Sequence, residues 1–267
     1  MNYKITNFLV LNLLLLFTLS INCAEDLRRM RSLPSPEKFE AGKNYFLDEK
    51  YDHAKTLLED ISRLDFISTY ADSAQLLLAQ CHFELGDYIL AENEFRRLLS
   101  RYPSSSLRAM AAYMIGMCNY ELSPRYELDQ EYTVKAIEAF GNFLLSPEYQ
   151  MQTSLIFDAQ NKLMELRTKL AEKDLHSGIL YKKRGQYEAA IIYIQSVFDN
   201  FIDTPVIPKA LFEMGECYYK LENYPEAIDK YQALLDNFQD HETAIKAQER
   251  LASIKTKTAK IDTLMYH

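Results

Sequence analysis

Gly178-Ile179-Leu180-Tyr181-Lys182-Lys183-Arg184-Gly185-Gln186-Tyr187-Glu188-Ala189-Ala190 is answered, 37 residues on, by Gly215-Glu216-Cys217-Tyr218-Tyr219-Lys220-Leu221-Glu222-Asn223-Tyr224-Pro225-Glu226-Ala227. In both stretches a small residue precedes a ring by three positions and a Tyr-x-x-Ala by nine, with a tight turn at Gly185-Gln186 or Glu222-Asn223 between them. Toward the N-terminus the same frame reads Gly42, Tyr45, Tyr51, Ala54 and then Ala79, His82, Tyr88, Ala91. A reduced copy keeps Gly116 and Ala136. A small residue lets two helices approach and a tight turn reverses the chain, so each copy is a helical hairpin. Hairpins recurring at a fixed period stack into an array, each burying its neighbour's apolar face.

The small residues at 42, 79 and 116 stand 37 apart, as do 178 and 215. This resembles the tetratricopeptide (TPR) repeat, whose period is about 34 residues. The surplus falls between hairpins, as in Tyr102-Pro103-Ser104-Ser105-Ser106-Leu107-Arg108, where proline stops one helix and serines can cap the next. Composition agrees: 267 residues with 48% hydrophobic content and only 7 Gly leave too few turn formers for a strand-rich chain. The expected fold is all-α, a TPR helical-hairpin solenoid of five repeats with a long connecting helix and a C-terminal capping helix.

Two irregularities interrupt the array. Residues 121–132 insert a loop into the third repeat where the others turn in a few residues, and a long loop on a rigid scaffold is a functional candidate. Residues 153–183 contain no proline, and Leu155, Ala159, Leu163, Leu166 and Leu170 recur at spacings of three or four, which predicts one long amphipathic helix. Residues 242–257, with Ala244, Ala247, Leu251 and Ile254 on one face, read as the cap that covers the last repeat.

The first 22 residues carry one charge, Lys4, ahead of an apolar run over 8–19 broken only by Asn12 and Thr18, the form of a secretory signal. The run is shorter than the roughly 20 residues of a membrane-spanning helix. Cys23 follows it directly, where a bacterial lipoprotein signal places its lipidated cysteine, although Ser20 and Asn22 replace that signal's usual Leu and Gly or Ala. Cys23 is therefore expected to carry covalent diacylglycerol and palmitate. By resemblance to sorted lipoproteins, Ala24 favours the outer membrane, facing the periplasm. The domain reading is a signal over 1–22, a lipidated flexible tether over 23–37, repeats one to three over 38–150 as a peptide-binding half, and 151–267 as a partner-docking half.

Cys81, Cys118 and Cys217 each stand two positions after a repeat's small residue, a buried site that takes a small apolar side chain, so they read as packing. No HExxH, Gly-rich phosphate loop or GxSxG occurs, so no enzyme, metal or resident cofactor is expected. A formal charge of −8 argues against nucleic acid. Binding remains. In a TPR hairpin the first helix lines the concave groove, and the position four after the small residue points into it. Those residues are Phe46, Phe83 and Tyr120 in the first three repeats, then Lys182 and Tyr219. Leu76, Tyr113, Met114 and Met117 occupy neighbouring groove positions, with Lys43 the nearest cation. The N-terminal groove is thus expected to hold an extended, aromatic-bearing peptide. The alternative is that the same rings only pack against the next repeat.

The order of these features, with Asp129-Gln130-x-x-Thr133 before Ala136 and Phe140, Leu166-Arg167-x-x-Leu170-Ala171 in the long helix, and Phe201-Ile202-Asp203-Thr204 after it, resembles the BamD family, lipoproteins of the outer-membrane β-barrel assembly machinery. The resemblance implies a non-enzymatic scaffold. It implies docking on a BamA-type, POTRA-bearing barrel mainly through the C-terminal repeats, company with other Bam lipoproteins, and recognition of unfolded barrel precursors by the N-terminal repeats. The other reading is a periplasmic TPR adaptor of cell-envelope maintenance, of the Tol-Pal coordinator type.

Overall fold

The computed structural model describes residues 28–265, with side chains to 259. Among the described residues there is no strand, and the fold is all-α as expected. After a helical turn at 28–31, the first hairpin pairs α1 (Ser35–Leu47) with α2 (Tyr51–Leu64), and the second pairs α3 (Ala71–Glu84) with α4 (Tyr88–Arg101). The third pairs α5 (Arg108–Leu122) with α6 (Glu131–Leu145), followed by a 3-10 turn, Pro147–Tyr149. The long helix α7 spans Thr153–Lys183, matching the stretch read from the sequence. Its end forms the fourth hairpin with α8 (Tyr187–Asn200). The fifth is α9 (Ile207–Lys220) with α10 (Tyr224–Asn237), and α11 (Thr243–Met265) is the cap, longer than the 242–257 expected.

The repeat frame has a steric cause. A Cβ built on Gly42 would lie 3.1 Å from Leu58, on Gly116 2.6 Å from Phe140, on Gly178 2.5 Å from Ile194, and on Gly215 2.6 Å from Tyr231. Each small residue makes room for one large residue of its own hairpin's second helix, and Leu58, Phe140, Ile194 and Tyr231 are fully buried there. Each such side chain contributes about 1.5–3 kcal/mol by leaving water.

The tight turns share one geometry. In the first, the Lys50 N–H donates to the Tyr45 carbonyl and the Glu49 N–H to the Phe46 carbonyl. Asp87 to His82 with Gly86 to Phe83, Gln186 to Tyr181 with Gly185 to Lys182, and Asn223 to Tyr218 with Glu222 to Tyr219 repeat the pattern. This is the Schellman ending of a helix, which needs a left-handed residue. That residue is Glu49, Gly86, Gly185 or Glu222, each with positive φ.

The chain divides into two compact units, one of residues to 122 with 138–159, the other of 123–137 with 160 onward, so a boundary at 150 falls inside the first. In the first unit, apolar layers around Leu58, Ile61 and Leu78 and around Phe95, Leu98 and Ile115 join successive hairpins. A buried polar chain crosses between them: Ser62 donates to Gln75 Oε1 (2.5 Å), and Gln75 Nε2 donates to the Glu94 carboxylate (2.7 Å) and carbonyl (3.0 Å). In the second unit, buried Glu216 accepts two hydrogen bonds from Arg250 of the cap (2.5 and 2.8 Å) and one from Tyr231 (2.6 Å).

Two expectations need adjustment. The inserted loop is residues 123–130, because α5 runs on to Leu122 and α6 starts at Glu131. The described part of the 23–37 tether is tied to the first repeat: Arg31 makes two 2.8 Å hydrogen bonds to Asp60, and Ser35 donates to Asp65 (2.5 Å). Helix α1 accordingly begins at Ser35. Cys23 and the signal lie outside the described residues.

Cys81, Cys118 and Cys217 are buried free thiols, and burial pushes each thiol up to about 12. His82, which holds the ring position of the second repeat's frame, is half-buried with Nδ1 3.6 Å from Asp87.

Candidate peptide-binding groove and inserted loop

The first helices of the three N-terminal hairpins, α1, α3 and α5, carry the expected groove residues. Phe46, Leu76, Phe83, Tyr113, Met114, Met117 and Tyr120 are all half-buried, and Lys43 is exposed without an ion pair among the described residues. Phe46 stands edge-on to Tyr51 (5.4 Å between centroids) and Phe83 edge-on to Tyr88 (5.1 Å). The ring four after the small residue thus leans on the tyrosine that opens the second helix. Part of its surface closes the hairpin and part stays accessible. This pairing went unread in the sequence, although its spacing of five is visible in Phe46-Tyr51, Phe83-Tyr88 and Tyr219-Tyr224.

The structure brings Leu76, Phe83 and Met114 together at the border of one buried cluster that includes Phe95, Ile115 and Cys118. Phe46 belongs to the neighbouring cluster around Leu58 and Leu78. Tyr113 is held from the other side: its hydroxyl donates to Asp158, and its ring lies 5.9 Å from Phe140 and 6.0 Å from Phe143. Burial, then Asp158, raises its hydroxyl above the usual tyrosine range.

The equivalent positions of the second unit are spent internally. Lys182 is ion-paired with Glu213. Tyr219 lies beneath Lys257 (4.6 Å) and Arg250 (5.1 Å), with its hydroxyl 3.3 Å from Ser253.

The inserted loop is built within the second unit. Gln130 Nε2 donates to the carbonyls of Arg125 (2.8 Å) and Leu128 (3.0 Å), while its Oε1 accepts from Thr133 (2.7 Å). The Asp-Gln-x-x-Thr motif is therefore a loop closure. Two lysines of α7 reach the same loop, Lys169 to Ser123 and Lys173 to the Leu128 carbonyl, both 2.8 Å, and Tyr126 stacks on His176 at 4.6 Å. Burial lowers the Lys169 ammonium. Between loop and helix lies a cavity of about 620 Å³ lined by Tyr126, Met164, Thr168, Lys169 and Pro205 among others. The Leu-Arg-x-x-Leu-Ala motif has a partner too. Arg167 forks onto Asp203 (2.9 and 2.5 Å), donates to the Asn200 carbonyl (2.9 Å) and covers the Phe201 ring at 5.6 Å.

These interlocked motifs coincide with a family-wide match. Residues 31–224 match the model of the YfiO family, described as an outer membrane lipoprotein. The chain belongs to this family, the BamD family. Residues 208–241 match the tetratricopeptide repeat separately. Among BamD relatives, the outer membrane protein assembly factor of Caulobacter vibrioides is 25% identical over 177 residues, 66% of this chain and 57% of that protein. The assembly factor of Pasteurella multocida is 23% identical over 197 residues, 70% of this chain and 75% of its own length. That of Vibrio cholerae is 26% identical over 188 residues, 66% and 76% of the two lengths. The matched stretch thus spans little more than half of the Caulobacter relative.

Proposed function

We propose that this BamD-family chain is an assembly factor of the outer membrane, anchored by lipid on Cys23 and facing the periplasm. In this reading it binds unfolded barrel precursors along α1, α3 and α5. Its second unit docks on a BamA-type, POTRA-bearing barrel alongside other Bam lipoproteins. The observation that carries the reading is an asymmetry. In the first three repeats the groove positions are half-exposed rings, thioethers and one leucine, whereas Lys182 and Tyr219 of the last two are occupied by Glu213 and by the cap. Apolar, aromatic-rich surface that stays half-exposed beside its contacts within the hairpins suits an extended peptide with aromatic side chains. Scaffolding by repeat surfaces requires no chemistry.

A photo-crosslinking residue at Met117 is expected to capture precursor peptides ending in an aromatic residue, and one at Tyr219 to capture none. Equal capture at both positions, or none at Met117, refutes the groove assignment. Affinity purification from detergent-solubilised membranes is expected to recover a POTRA-bearing barrel. Recovery of soluble envelope proteins alone favours the Tol-Pal type of adaptor. Palmitate incorporation, lost in Cys23→Ala, tests the anchor.

A further inference from the structure

Leu64 at the end of α2 and Phe66 and Ile67 just after it are 78, 50 and 85% exposed around a single acidic residue, Asp65. Single exposed apolar side chains are ordinary, but three large ones at one loop tip mark an interaction surface. Asp65 keeps its charge, but its carboxylate is engaged by Ser35, whose hydroxyl it accepts at 2.5 Å. One turn earlier Asp60 is neutralised by the Arg31 fork at 2.8 Å, and Glu59 pairs with Arg63 at 2.6 Å. The guanidinium of Arg101 covers the Phe66 ring at 5.7 Å. The tip therefore presents three apolar side chains, with Asp65 held on Ser35 and a fringe of arginines beside the ion-paired Asp60 and Glu59.

The same contacts fix where the N-terminal segment lies. Arg31 and Ser35 hold residues 31–35 against the end of α2 that carries the loop. From Cys23 to Arg28, the first described residue, five residues reach at most about 17 Å when extended. A lipid on Cys23 therefore tethers this end of the first repeat, and not the Leu47 end, within a short distance of the bilayer. Helix α1 separates the two ends by about 20 Å at 1.5 Å per residue.

We propose that Leu64, Phe66 and Ile67 insert into the phospholipid interface beside the anchor, with Arg63 and Arg101 on anionic headgroups, so that the first repeat is seated on the membrane and its orientation is set. The inference rests on lipidation of Cys23. Apolar side chains at headgroup level flanked by arginines have the chemistry of an interfacial contact.

The test uses the full lipidated chain in vesicles of phosphatidylethanolamine and phosphatidylglycerol. An environment-sensitive fluorophore is placed on Ile67→Cys or, as control, on Leu47→Cys, itself 68% exposed. The three buried thiols, pushed up to about 12, stay unlabelled near neutral pH. The probe at 67 is expected to shift to the blue and to lose fluorescence to lipids brominated on the acyl chain, while the probe at 47 does neither. Co-sedimentation with vesicles is measured on the same samples. A chain that fails to sediment overturns the anchor and the insertion together. A chain that sediments while the probe at 67 behaves like that at 47 overturns the insertion alone. Protection of the probe at 67 from aqueous iodide without quenching by brominated lipid means a protein covers the loop, and also overturns it.

Discussion

The left-handed residue of the hairpin turn offers a test with little room for compensation. Glu49 and Glu222 sit at φ 60°, Gly86 at 78° and Gly185 at 77°, at one frame position of four repeats. An L-residue there costs about 1–2 kcal/mol through contact of Cβ with the following carbonyl. Glycine returns part of this advantage, about 0.5–1 kcal/mol, because its unfolded chain is freer. Glu49→Gly is therefore expected to stabilise the first unit by about 0.5–1 kcal/mol, and Glu222→Gly the second by a similar amount. The reverse change is clean, because a Cβ built on Gly86 or Gly185 meets nothing within 4 Å, so Gly86→Ala changes backbone strain and not packing. It should cost about 1 kcal/mol. Urea unfolding followed by helical circular dichroism reads both, as shifted midpoints at unchanged slope. For a unit of this size each kcal/mol moves the thermal midpoint by about 2–4 °C. A lowered midpoint in Glu49→Gly, or an unchanged one in Gly86→Ala, refutes the strain argument.

Three further outcomes are expected. Gly215→Ala places a methyl 2.6 Å from the buried Tyr231 ring, and should cost about 1–3 kcal/mol in urea unfolding, against less for Gly42→Ala, where the nearest atoms are the tip of Leu58 at 3.1 Å. Burial pushes the Glu216 carboxyl up, but hydrogen bonds from Arg250 and Tyr231 outweigh it and hold the group below its usual 4.5. Its contribution is then whole above about pH 4.5 and lost as pH falls through the lower folded value, so the difference in urea midpoint between the native chain and Glu216→Gln should shrink below pH 4.5. Cys81, Cys118 and Cys217 should react with a thiol reagent at pH 8 only at the rate of unfolding, all three becoming labelled in urea, whereas prompt labelling of any one contradicts its packing role.

What the sequence made legible was local and repetitive. Gly42, Gly178 and Gly215 announce the array because a Cβ at each meets a specific large side chain, a constraint that recurs at fixed spacing. The span of α7 was readable from the absence of proline and the spacing of Leu155 to Leu170. What stayed hidden depends on partners far apart in the chain. Arg31 in the supposed tether looks like any solvated arginine until Asp60 is brought to it, and nothing near Tyr113 announces Asp158, 45 residues away. In the groove, residue type and register were readable, but not that Phe46 and Phe83 would divide their surfaces between hairpin closure and solvent.

The third repeat shows why its two irregularities belong together. Ala136 stands 20 positions after Gly116, against 12 in the other four repeats, and the eight extra residues are the loop 123–130. With them the ring at the third position gives way to Asn119, which is buried and donates back to the Ile115 carbonyl at 3.0 Å. Without the Schellman turn, the loop must satisfy its own polar groups, and it does so through Gln130 and Thr133. Those bonds close the loop on itself but do not fix its position. Lys169 and Lys173 do that, along with the stacking of Tyr126 on His176, and all three of those anchors lie on α7 beyond its first four turns. A connection of ordinary length would present none of them, so the long helix is the support the inserted loop requires, and lengthening one without the other would leave the loop unanchored.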